Sequence, residues 1–428
     1  MLQTSKRDRP WSALSAVLAV ITAMVYSNPS YAGPDSRVLA AARSCEPGAR
    51  TLLQQLVQVD SGTGDVAGLA AMGVILKEEL GRDGIQVESI PAVAPATGDN
   101  LVATLTGKGK GRILLTAHMD TVFPHGTVAQ QPYTVEGERG IGPGAGDDKA
   151  GIVTAVCALR ILQRLQYHDY ARITLILNSN EETGSLGTRD LIRAKARDSD
   201  TAINLERGVP PDGVETMRKG SAVVTIEISG RAAHAGLEPE KGRNAIIEAS
   251  HQALQLGALA DPAKETTVNV TVIQGGTAVN VIPEHAIVTA DVRAYAPEEF
   301  ERVEQGLQKL ATETIVPEIQ VKAGLKRNFP PWPRAESTNA LLKRAQKLYG
   351  EIGRTLVGVP VGSSADIAFA AETGIPAIDG IAILGGGGHS VDDYADLSSI
   401  VPRVYLLSRM LMDIGHDPPR GRGTAYPP

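Results

Sequence analysis

The feature that most constrains this chain is a set of short apolar runs, two of which end in an ionisable residue. The runs are NLVATL near residue 100, RILLTAH ending at His118, ITLILNS ending at residue 179, and TAINLE ending at Glu206. The helical segment AGIVTAVCALRILQRL lies between the second run and the third. Continuous apolar runs separated by helices are typical of a parallel sheet that is covered on both faces. The sequence therefore predicts an α/β domain with a mainly parallel sheet flanked by helices.

The middle third of the chain has a different pattern. Apolar and polar residues alternate in AVVTIEISG, as in a strand with one solvated face. Further along, the periodicity predicts these elements: a helix at 243–258, the strands TTVNVTVI and AIVTADVRAY, a helix at 298–313 and a short strand IQVKAG. This order of strands and helices is that of a ferredoxin-like α+β domain.

The Pro-rich stretch NFPPWPR (328–334) predicts an extended linker that leads back to the first domain. Helical periodicity also marks 37–58, 65–81 and 399–413. We therefore predict a larger domain that a smaller one interrupts, with these boundaries: 33–217 and 331–415 for the larger domain, 218–330 for the inserted domain, and 416–428 for a disordered tail.

The first 32 residues have the layout of a secretory signal peptide. Three basic residues lie within the first nine, an apolar run covers 13–26, and small residues precede a cleavage point after Ala32. The run is short for a membrane span of about 20 residues, which favours a cleaved signal over an uncleaved anchor. We expect a periplasmic or secreted protein that is not held at the membrane after cleavage.

Charge and composition exclude some partners. The formal net charge is −6, and removing residues 1–32, which hold three basic groups and one acidic group, makes it −8. An acidic surface with only 4% aromatic residues argues against binding to nucleic acid or to an anionic membrane. The two cysteines, Cys45 and Cys157, do not imply a disulfide-stapled scaffold, and we expect no bridge between them even though export would permit one.

Several ionisable residues lie at or just after the predicted strand ends. Residues i and i+2 of a strand point to the same side, so Asp120 can orient the imidazole of His118. Asp147 and Asp148 lie in a Gly-rich turn before a helix, where acidic residues also favour the helix dipole.

Three more candidates follow in the chain. Glu181 and Glu182 end a strand at a turn, where paired carboxylates are often only solvated surface charges. Glu206 ends an apolar run in which an acidic residue is unexpected, and His389 follows four glycines that allow a close approach of the backbone.

A parallel sheet would bring most of these residues to one edge. Carboxylates crowded there would repel one another, and one or two divalent cations would remove the conflict. A set of two histidines and several carboxylates without cysteine suits Zn²⁺, Co²⁺ or Mn²⁺. The pattern alone does not assign ligands to individual ions.

The chain resembles the two-zinc peptidase and aminoacylase family, and within it the bacterial glutamate carboxypeptidases of the carboxypeptidase G type. The resemblance follows the mature chain through an ordered series of motifs: VDSGTGD, AHMDTVF, GPGAGDDKAG, LNSNEETGSLGTRDLI, NLERG, GRAAHAG, GRNAIIEAS, NVIPEHAIVTADVR and GGHSVDDYADL. It implies a zinc-peptidase catalytic domain with an inserted lid and dimerisation domain, a homodimer, and a small peptide or N-acyl amino acid as substrate.

The resemblance also implies a role for each candidate. Asp147 would bridge two Zn²⁺ ions, with Co²⁺ or Mn²⁺ as possible substitutes. Glu182 and His389 would complete one metal site, and His118 and Glu206 the other. In addition, the family pattern makes Asp120 the residue that orients His118, and Glu181 the general base that takes a proton from the attacking water and passes it to the leaving amine.

Within the inserted domain, His234 matches a histidine that stabilises the transition state and can come from the partner subunit. Asn280 and Arg293 match residues that hold the substrate carboxylate. The chain departs from the glutamate carboxypeptidases in VGSSAD, where Ser363 and Ser364 replace glycines and Ala365 replaces a threonine, so that Ser364 is the candidate to supply the missing hydroxyl. A further, milder departure is Asp393, at a position where many relatives have Glu.

These departures leave the preference for glutamate open. We expect a carboxypeptidase that releases a C-terminal amino acid from a peptide or an N-acyl substrate. An aminoacylase or deacylase of the same family is the alternative. A non-catalytic periplasmic binding protein is a more remote one, because Glu181 and all five expected ligands are present.

Overall fold

The computed structural model of the protein describes residues 33–419. The predicted signal peptide and residues 420–428 of the predicted tail lie outside the described residues, so these two predictions are not tested there. Within 33–419, no helix is long and apolar enough to cross a membrane.

Several helices in this part of the chain begin after a residue whose side chain accepts hydrogen bonds from the first backbone N–H groups of the helix. Asp35 accepts hydrogen bonds from the backbone N–H groups of Arg37 and Val38, which fixes the start of the first helix. The helices are α1 (Ser36–Val57), α2 (Val66–Gly81), α3 (Thr127–Gln130), α4 (Ala150–Arg164), α5 (Arg189–Arg197), α6 (Ala245–Gly257), α7 (Pro297–Leu310), α8 (Glu336–Gly350), α9 (Ile367–Ala371) and α10 (Ile400–His416).

The strands within residues 33–419 form five separate sheets. They are β1 (Val87–Pro91), β2 (Asp99–Thr106), β3 (Arg112–His118), β4 (Thr134–Glu136), β5 (Arg139–Ile141), β6 (Arg172–Asn178), β7 (Thr201–Asn204), β8 (Arg207–Gly208), β9 (Gly213–Arg218), β10 (Gly220–Ser229), β11 (Ala233–His234), β12 (Thr267–Gly275), β13 (Val281–Ile282), β14 (His285–Ala294), β15 (Gln320–Phe329), β16 (Val357–Val361), β17 (Ala377–Ile378), β18 (Ala382–Gly386) and β19 (Tyr394–Asp396).

The largest sheet has six strands in the order β1-β2-β6-β3-β7-β17. Strands β6, β3, β7 and β17 run parallel to one another, as predicted. Strands β1 and β2 are antiparallel additions at one edge. The apolar run that forms β2 carries no signal for direction. Strands β2 and β3 lie on either side of β6, and the connection between them is too short for the crossover that two parallel strands of one sheet need.

Both faces of this sheet are covered. Within β3, Leu115 belongs to the apolar cluster formed with α1, α4 and α10, and Leu114 belongs to a cluster on the other face with α5 and α9. This arrangement confirms the predicted fold class for the larger part of the chain and explains why its strands are apolar throughout.

A disulfide between Cys45 in α1 and Cys157 in α4 contradicts the expectation that these cysteines are not bridged. Their Cα atoms lie 6.2 Å apart although 112 residues separate them in sequence. The two helices pack against each other in the core, and both cysteines are buried there. No local pattern could have paired them, because the pairing depends on how α1 docks.

The second sheet has four antiparallel strands in the order β12-β14-β10-β15. Helices α6 and α7 pack against it. This confirms the ferredoxin-like pattern. Strand β15 is longer than predicted, because it continues to Phe329 and takes up the first residues of the expected linker.

The two segments that connect this sheet to the rest of the chain are hydrogen-bonded to each other. The backbone N–H of Arg218 donates to the carbonyl of Trp332 at 2.9 Å, and the N–H of Trp332 donates back to Arg218 at 3.0 Å. The pair lies close to the predicted boundaries at 218 and 330, which stay a prediction.

Candidate active site

Three parallel strands end at one edge of the large sheet and bring four of the predicted residues there. His118 is the last residue of β3, Glu181 and Glu182 follow β6, and Glu206 follows β7. His389 comes from a different sheet, in the glycine-rich loop after β18, where its φ is +65°. A positive φ is uncommon for a residue with a side chain, and the preceding glycines let the loop turn sharply.

Asp147 lies between the two histidines. Its Oδ1 is 3.2 Å from His118 Nε2, and its Oδ2 is 3.8 Å from His389 Nε2. Glu206 Oε1 is 3.7 Å from the same nitrogen of His118, and Glu182 Oε2 is 3.0 Å from that of His389. The structure thus brings the five predicted ligands together as two His–Glu pairs that share one aspartate.

The residues fit a divalent cation. His118, Asp147 and Glu182 each offer one ligand atom, and these three atoms lie within 4.8 Å of one another. The donor set is imidazole nitrogen and carboxylate oxygen, which suits Zn²⁺ and related ions. Except for His389, these side chains are largely withdrawn from solvent.

The acidic groups perturb one another in this site. Burial and the negative charges of Asp366 and Glu182 raise the pKa of Glu181 well above its ordinary value, although the charge of His118 opposes the shift. Burial and the neighbouring Asp147 raise the pKa of Glu206 to about 7.

For Asp147 and His118, in contrast, the surroundings favour the charged form. Burial works against the ionised form of Asp147, but His118 and Arg207 outweigh it and lower the pKa of this carboxyl below its ordinary range. Burial likewise works against protonation of His118, yet the carboxylates of Asp120 and Asp147 raise the pKa of its ring well above the usual value. A buried set of acids that share the charge of a few cations is the environment that a divalent ion stabilises.

Asp120 lies beside His118 as predicted, but it contacts the ring through a different atom. The Nδ1 of His118 is 2.9 Å from the main-chain carbonyl of Asp120 and 3.5 Å from its carboxylate. The carboxylate instead accepts the backbone N–H groups of Glu181 at 3.0 Å and Glu182 at 3.2 Å, and the hydroxyl of Thr63 at 2.6 Å. A carbonyl fixes the ring tautomer as well as a carboxylate would.

A cavity of about 200 Å³ opens onto this cluster. It is lined by both polar and charged groups: Asp147, Glu181, Glu182, Glu206, Arg207, Glu215, Arg218, Ser363, Ser364, Gly388 and His389. A small cavity beside a cluster of metal-type ligands is where a substrate group would meet the reacting atoms.

Three of the lining residues were not singled out from the sequence. Arg207 donates a hydrogen bond from Nη1 to Asp147 Oδ2 at 2.5 Å. Arg218 is buried and ion-paired with Glu215 and with Asp379, to which its Nε lies 2.7 Å away. The position of Arg207 directly after Glu206 was the one available signal, since charged residues at the end of an apolar strand are unusual.

The predicted substrate residues are not all at this cavity. Arg293 is not a lining residue but contacts one, because its Nη1 donates to Ser364 Oγ at 3.2 Å while Asp291 holds its Nε. His234 and Asn280 are exposed and lie near each other beside the small ladder of β11 and β13. Neither of them lines the cavity.

The serine-containing segment after β16 is organised differently from the expectation at Ser364. The Ser364 hydroxyl donates to the carbonyl of Lys219 at 2.8 Å, so its single hydrogen is used within the chain. Ser363 accepts a hydrogen bond from Arg218 at 2.8 Å and keeps its own hydrogen for the cavity. Ala365 is fully buried and does not face the cavity.

Comparison with known proteins agrees with this geometry. The model of peptidase family M20/M25/M40 matches residues 114–413. Carboxypeptidase G2 of Pseudomonas sp. (strain RS-16) is 36% identical over 407 residues, which cover 94% of this chain and 98% of that protein. Acetylornithine deacetylase of Proteus mirabilis (strain HI4320) is 29% identical over 77% of this chain and 86% of that protein.

Solved structures have the same fold. Aminopeptidase PepT from Bacillus cereus ATCC 10987 matches with a TM-score of 0.72 at 24% identity, covering 86% of this chain and 98% of the other. Metallo-carboxypeptidase Sso-CP2 from Sulfolobus solfataricus matches with a TM-score of 0.68 at 15% identity, covering 85% and 98%. Together with the near full-length similarity, the match over residues 114–413 shows that the chain belongs to peptidase family M20/M25/M40 and is a metal-dependent hydrolase of peptide or related amide bonds.

Proposed function

We propose that the protein is a two-zinc carboxypeptidase that releases a C-terminal amino acid from small peptides or N-acyl amino acids. The position of Asp147 is the observation that carries this proposal. Its two carboxylate oxygens face two different histidines, at 3.2 Å and 3.8 Å, and each histidine has its own glutamate. A shared carboxylate between two His–Glu pairs suits two cations side by side.

Bound there, the cations would supply Lewis-acid activation of water and of the scissile carbonyl. The chain supplies the rest. Glu181 lines the cavity beside Glu182 but belongs to neither His–Glu pair, so it is free to take a proton from water and return it to the leaving amine. Asp120 holds the backbone of both glutamates in place.

For the substrate, we propose that Arg293 binds the carboxylate of the released amino acid. A guanidinium offers a planar, two-pronged donor for such a group. Ser363 rather than Ser364 would add a hydroxyl donor, because the hydrogen of Ser364 is already used on Lys219. The preference for glutamate therefore rests on a different serine from the one that sequence alone suggested.

The substitution Glu181→Gln tests the mechanism. It should leave zinc content at the wild-type level and lower kcat by about 10²–10⁴-fold, the range for loss of a general base. Metal analysis and turnover are measured on the same sample, with the exposed lid residue Glu227 changed to Gln as the matched control. Loss of zinc in Glu181→Gln would make this residue a ligand and overturn the proposed role.

An N-acyl amino acid deacylase is the second candidate function. The similarity to an acetylornithine deacetylase supports it. The zinc-loaded protein is tested with a set of dipeptides and N-acetyl amino acids that share the same C-terminal residues. A kcat/KM that is higher for the N-acetyl series would favour the deacylase, and no advantage of Glu or Asp over Ala or Leu would remove the glutamate assignment.

Export to the periplasm or beyond is also proposed, with removal of residues 1–32. The Cys45–Cys157 disulfide supports it, since structural disulfides persist mainly in oxidising compartments. Mass spectrometry of the protein recovered from a cell fraction checks both parts. A chain that still carries Met1, recovered from the cytoplasm with both thiols free, would contradict the proposal.

A homodimer through the inserted domain is proposed as well. His234 and Asn280 are exposed and do not line the cavity of their own chain, which suits residues that act on a partner subunit. Mixing Glu181→Gln with His234→Ala tests this, because each variant alone would be nearly inactive. Mixed dimers should recover activity if His234 acts across the interface, and mixtures that stay inactive would count against that role.

A further inference from the structure

Arg207 extends from the larger part of the chain into the candidate metal site. Its backbone is held in the ladder between β8 and β18, where it pairs with Ala382. Its side chain lines the cavity, is 29% exposed, and donates to Asp147 Oδ2 at 2.5 Å. The guanidinium therefore contacts the one carboxylate that both His–Glu pairs share.

The loop that carries His389 leaves room for this side chain. A Cβ at Gly388 would lie 2.9 Å from Arg207 Nη1 and 2.7 Å from Asp147 Oδ2, and a Cβ at Gly385 would lie 3.2 Å from Arg207 Cδ. Two glycines of the four-glycine run thus make space for the length of Arg207. A side chain at either position would crowd Arg207, so the loop is compatible with the contact to Asp147 only as glycine.

The two other arginines near the cavity are committed elsewhere. Arg218 is bound to Glu215, Asp379 and Ser363. Arg293 is bound to Asp291 and Ser364. Arg207 differs from both, because it donates its hydrogen bond to Asp147, a residue that the proposed function assigns to the metals.

The contact of Arg207 with Asp147 lies on the His389 side of the site. Asp147 Oδ2 is the oxygen that faces His389, while Oδ1 faces His118. A cation held by His389 and Oδ2 would share that oxygen with a fixed positive group, and like charges a few ångströms apart in a partly buried site repel strongly. A cation on the side of His118 lies beyond the other oxygen and meets less of this repulsion.

We infer that Arg207 is a positioning residue that weakens metal binding at the His389 side of the site, so that the two cations bind with unequal affinities. The inference rests on the proposed two-metal function. It makes the ion at His389 the more easily lost of the two.

Zinc titration of the metal-free protein tests this, with isothermal calorimetry and a competing chelator to give two dissociation constants. Arg207→Gln should tighten the weaker step by about tenfold, the scale on which groups next to the ligands alter metal affinity, and leave the tighter step unchanged. Arg207→Lys keeps the charge and should stay closer to the wild type. Arg164→Gln, an exposed arginine outside the cavity lining, is the matched control.

Arg207→Met provides a second neutral variant of similar length if the glutamine variant does not fold. Equal constants for the wild type and both neutral variants would overturn the inference. Weaker binding in the neutral variants would do so too, because Arg207 would then hold Asp147 in its binding position. A wild-type protein that binds no zinc would instead contradict the proposed function itself.

Discussion

The carboxylate of Asp120 accepts a hydrogen bond from the backbone N–H of Glu181 at 3.0 Å. Asp120 therefore fixes the position of Glu181, the candidate general base. It is fully buried, and its other oxygen accepts the N–H of Glu182 and the hydroxyl of Thr63. A buried carboxylate that receives three hydrogen bonds is well satisfied, and removing it leaves buried donors without a partner.

Asp120→Ala should therefore lower both stability and turnover. We expect about 2–4 kcal/mol of lost unfolding free energy, since hydrogen bonds to a charged group are the strong ones. The value of kcat should fall about 10–100-fold, because Glu181 and Glu182 lose their support. Urea unfolding and steady-state kinetics measure the two effects. Thr63→Val, which removes one of the three donors, should cost only about 1 kcal/mol, and equal losses in both variants would contradict this assignment.

Reduction of the Cys45–Cys157 disulfide should destabilise the protein by about 2–5 kcal/mol, because the bridge closes a long loop of the unfolded chain. Urea unfolding of the oxidised and the thiol-reduced protein gives the difference. The double variant Cys45→Ala/Cys157→Ala should be insensitive to thiol. An unchanged unfolding midpoint on reduction of the wild type would show that the bridge does not contribute to stability.

Glu299 should make the stability of the four-stranded sheet and its helices depend on pH. Hydrogen bonds from Arg302, Lys264 and Thr266 lower the pKa of its carboxyl to about 2 although burial opposes this. Because the folded pKa lies below the unfolded value, the stabilisation is present above about pH 4.5 and is lost as the pH falls towards 2.

Glu299→Gln should accordingly be less stable than the wild type by about 1–2 kcal/mol at pH 7, after allowance for solvent screening of the exposed Lys264. Thermal unfolding at a series of pH values checks this. The difference between the two proteins should shrink below about pH 4.5. A difference that stays constant with pH would mean that packing, and not charge, is responsible.

Arg293→Gln should raise KM about 10–100-fold while changing kcat less, if Arg293 binds the substrate carboxylate. Arg293→Lys keeps the charge but loses the planar pair of donors, so it should recover only part of the affinity. The measurement is steady-state kinetics on the best substrate and on its C-terminal amide. Equal losses on acid and amide would exclude a contact with the carboxylate.

Much of the site could be predicted because chain order places it. His118, Glu182 and Glu206 follow three apolar runs that pack as parallel neighbours, so their meeting at one edge follows from the fold class alone. His389 comes from the separate sheet of β18, and only the family resemblance linked it to the others.

Other features depend on tertiary docking and had no local signal. The pairing of Cys45 with Cys157 depends on how α1 packs on α4. The contact of Arg207 with Asp147 depends on space that distant glycines provide. The sequence also could not predict which atom of Asp120 contacts His118. Alternation along a strand fixes the side on which a residue lies, but not which of its oxygen atoms is nearer to the ring.

The paired backbones of Arg218 and Trp332 have a consequence for how such a chain could be shortened or extended. Because these residues bond to each other where the four-stranded sheet leaves and rejoins the chain, both ends of residues 219–331 are fixed at one place beside β9. Excision of that segment would take Arg293 and His234 from the enzyme but none of the five expected metal ligands, and it would also remove Phe329, which packs on Phe369 in the core.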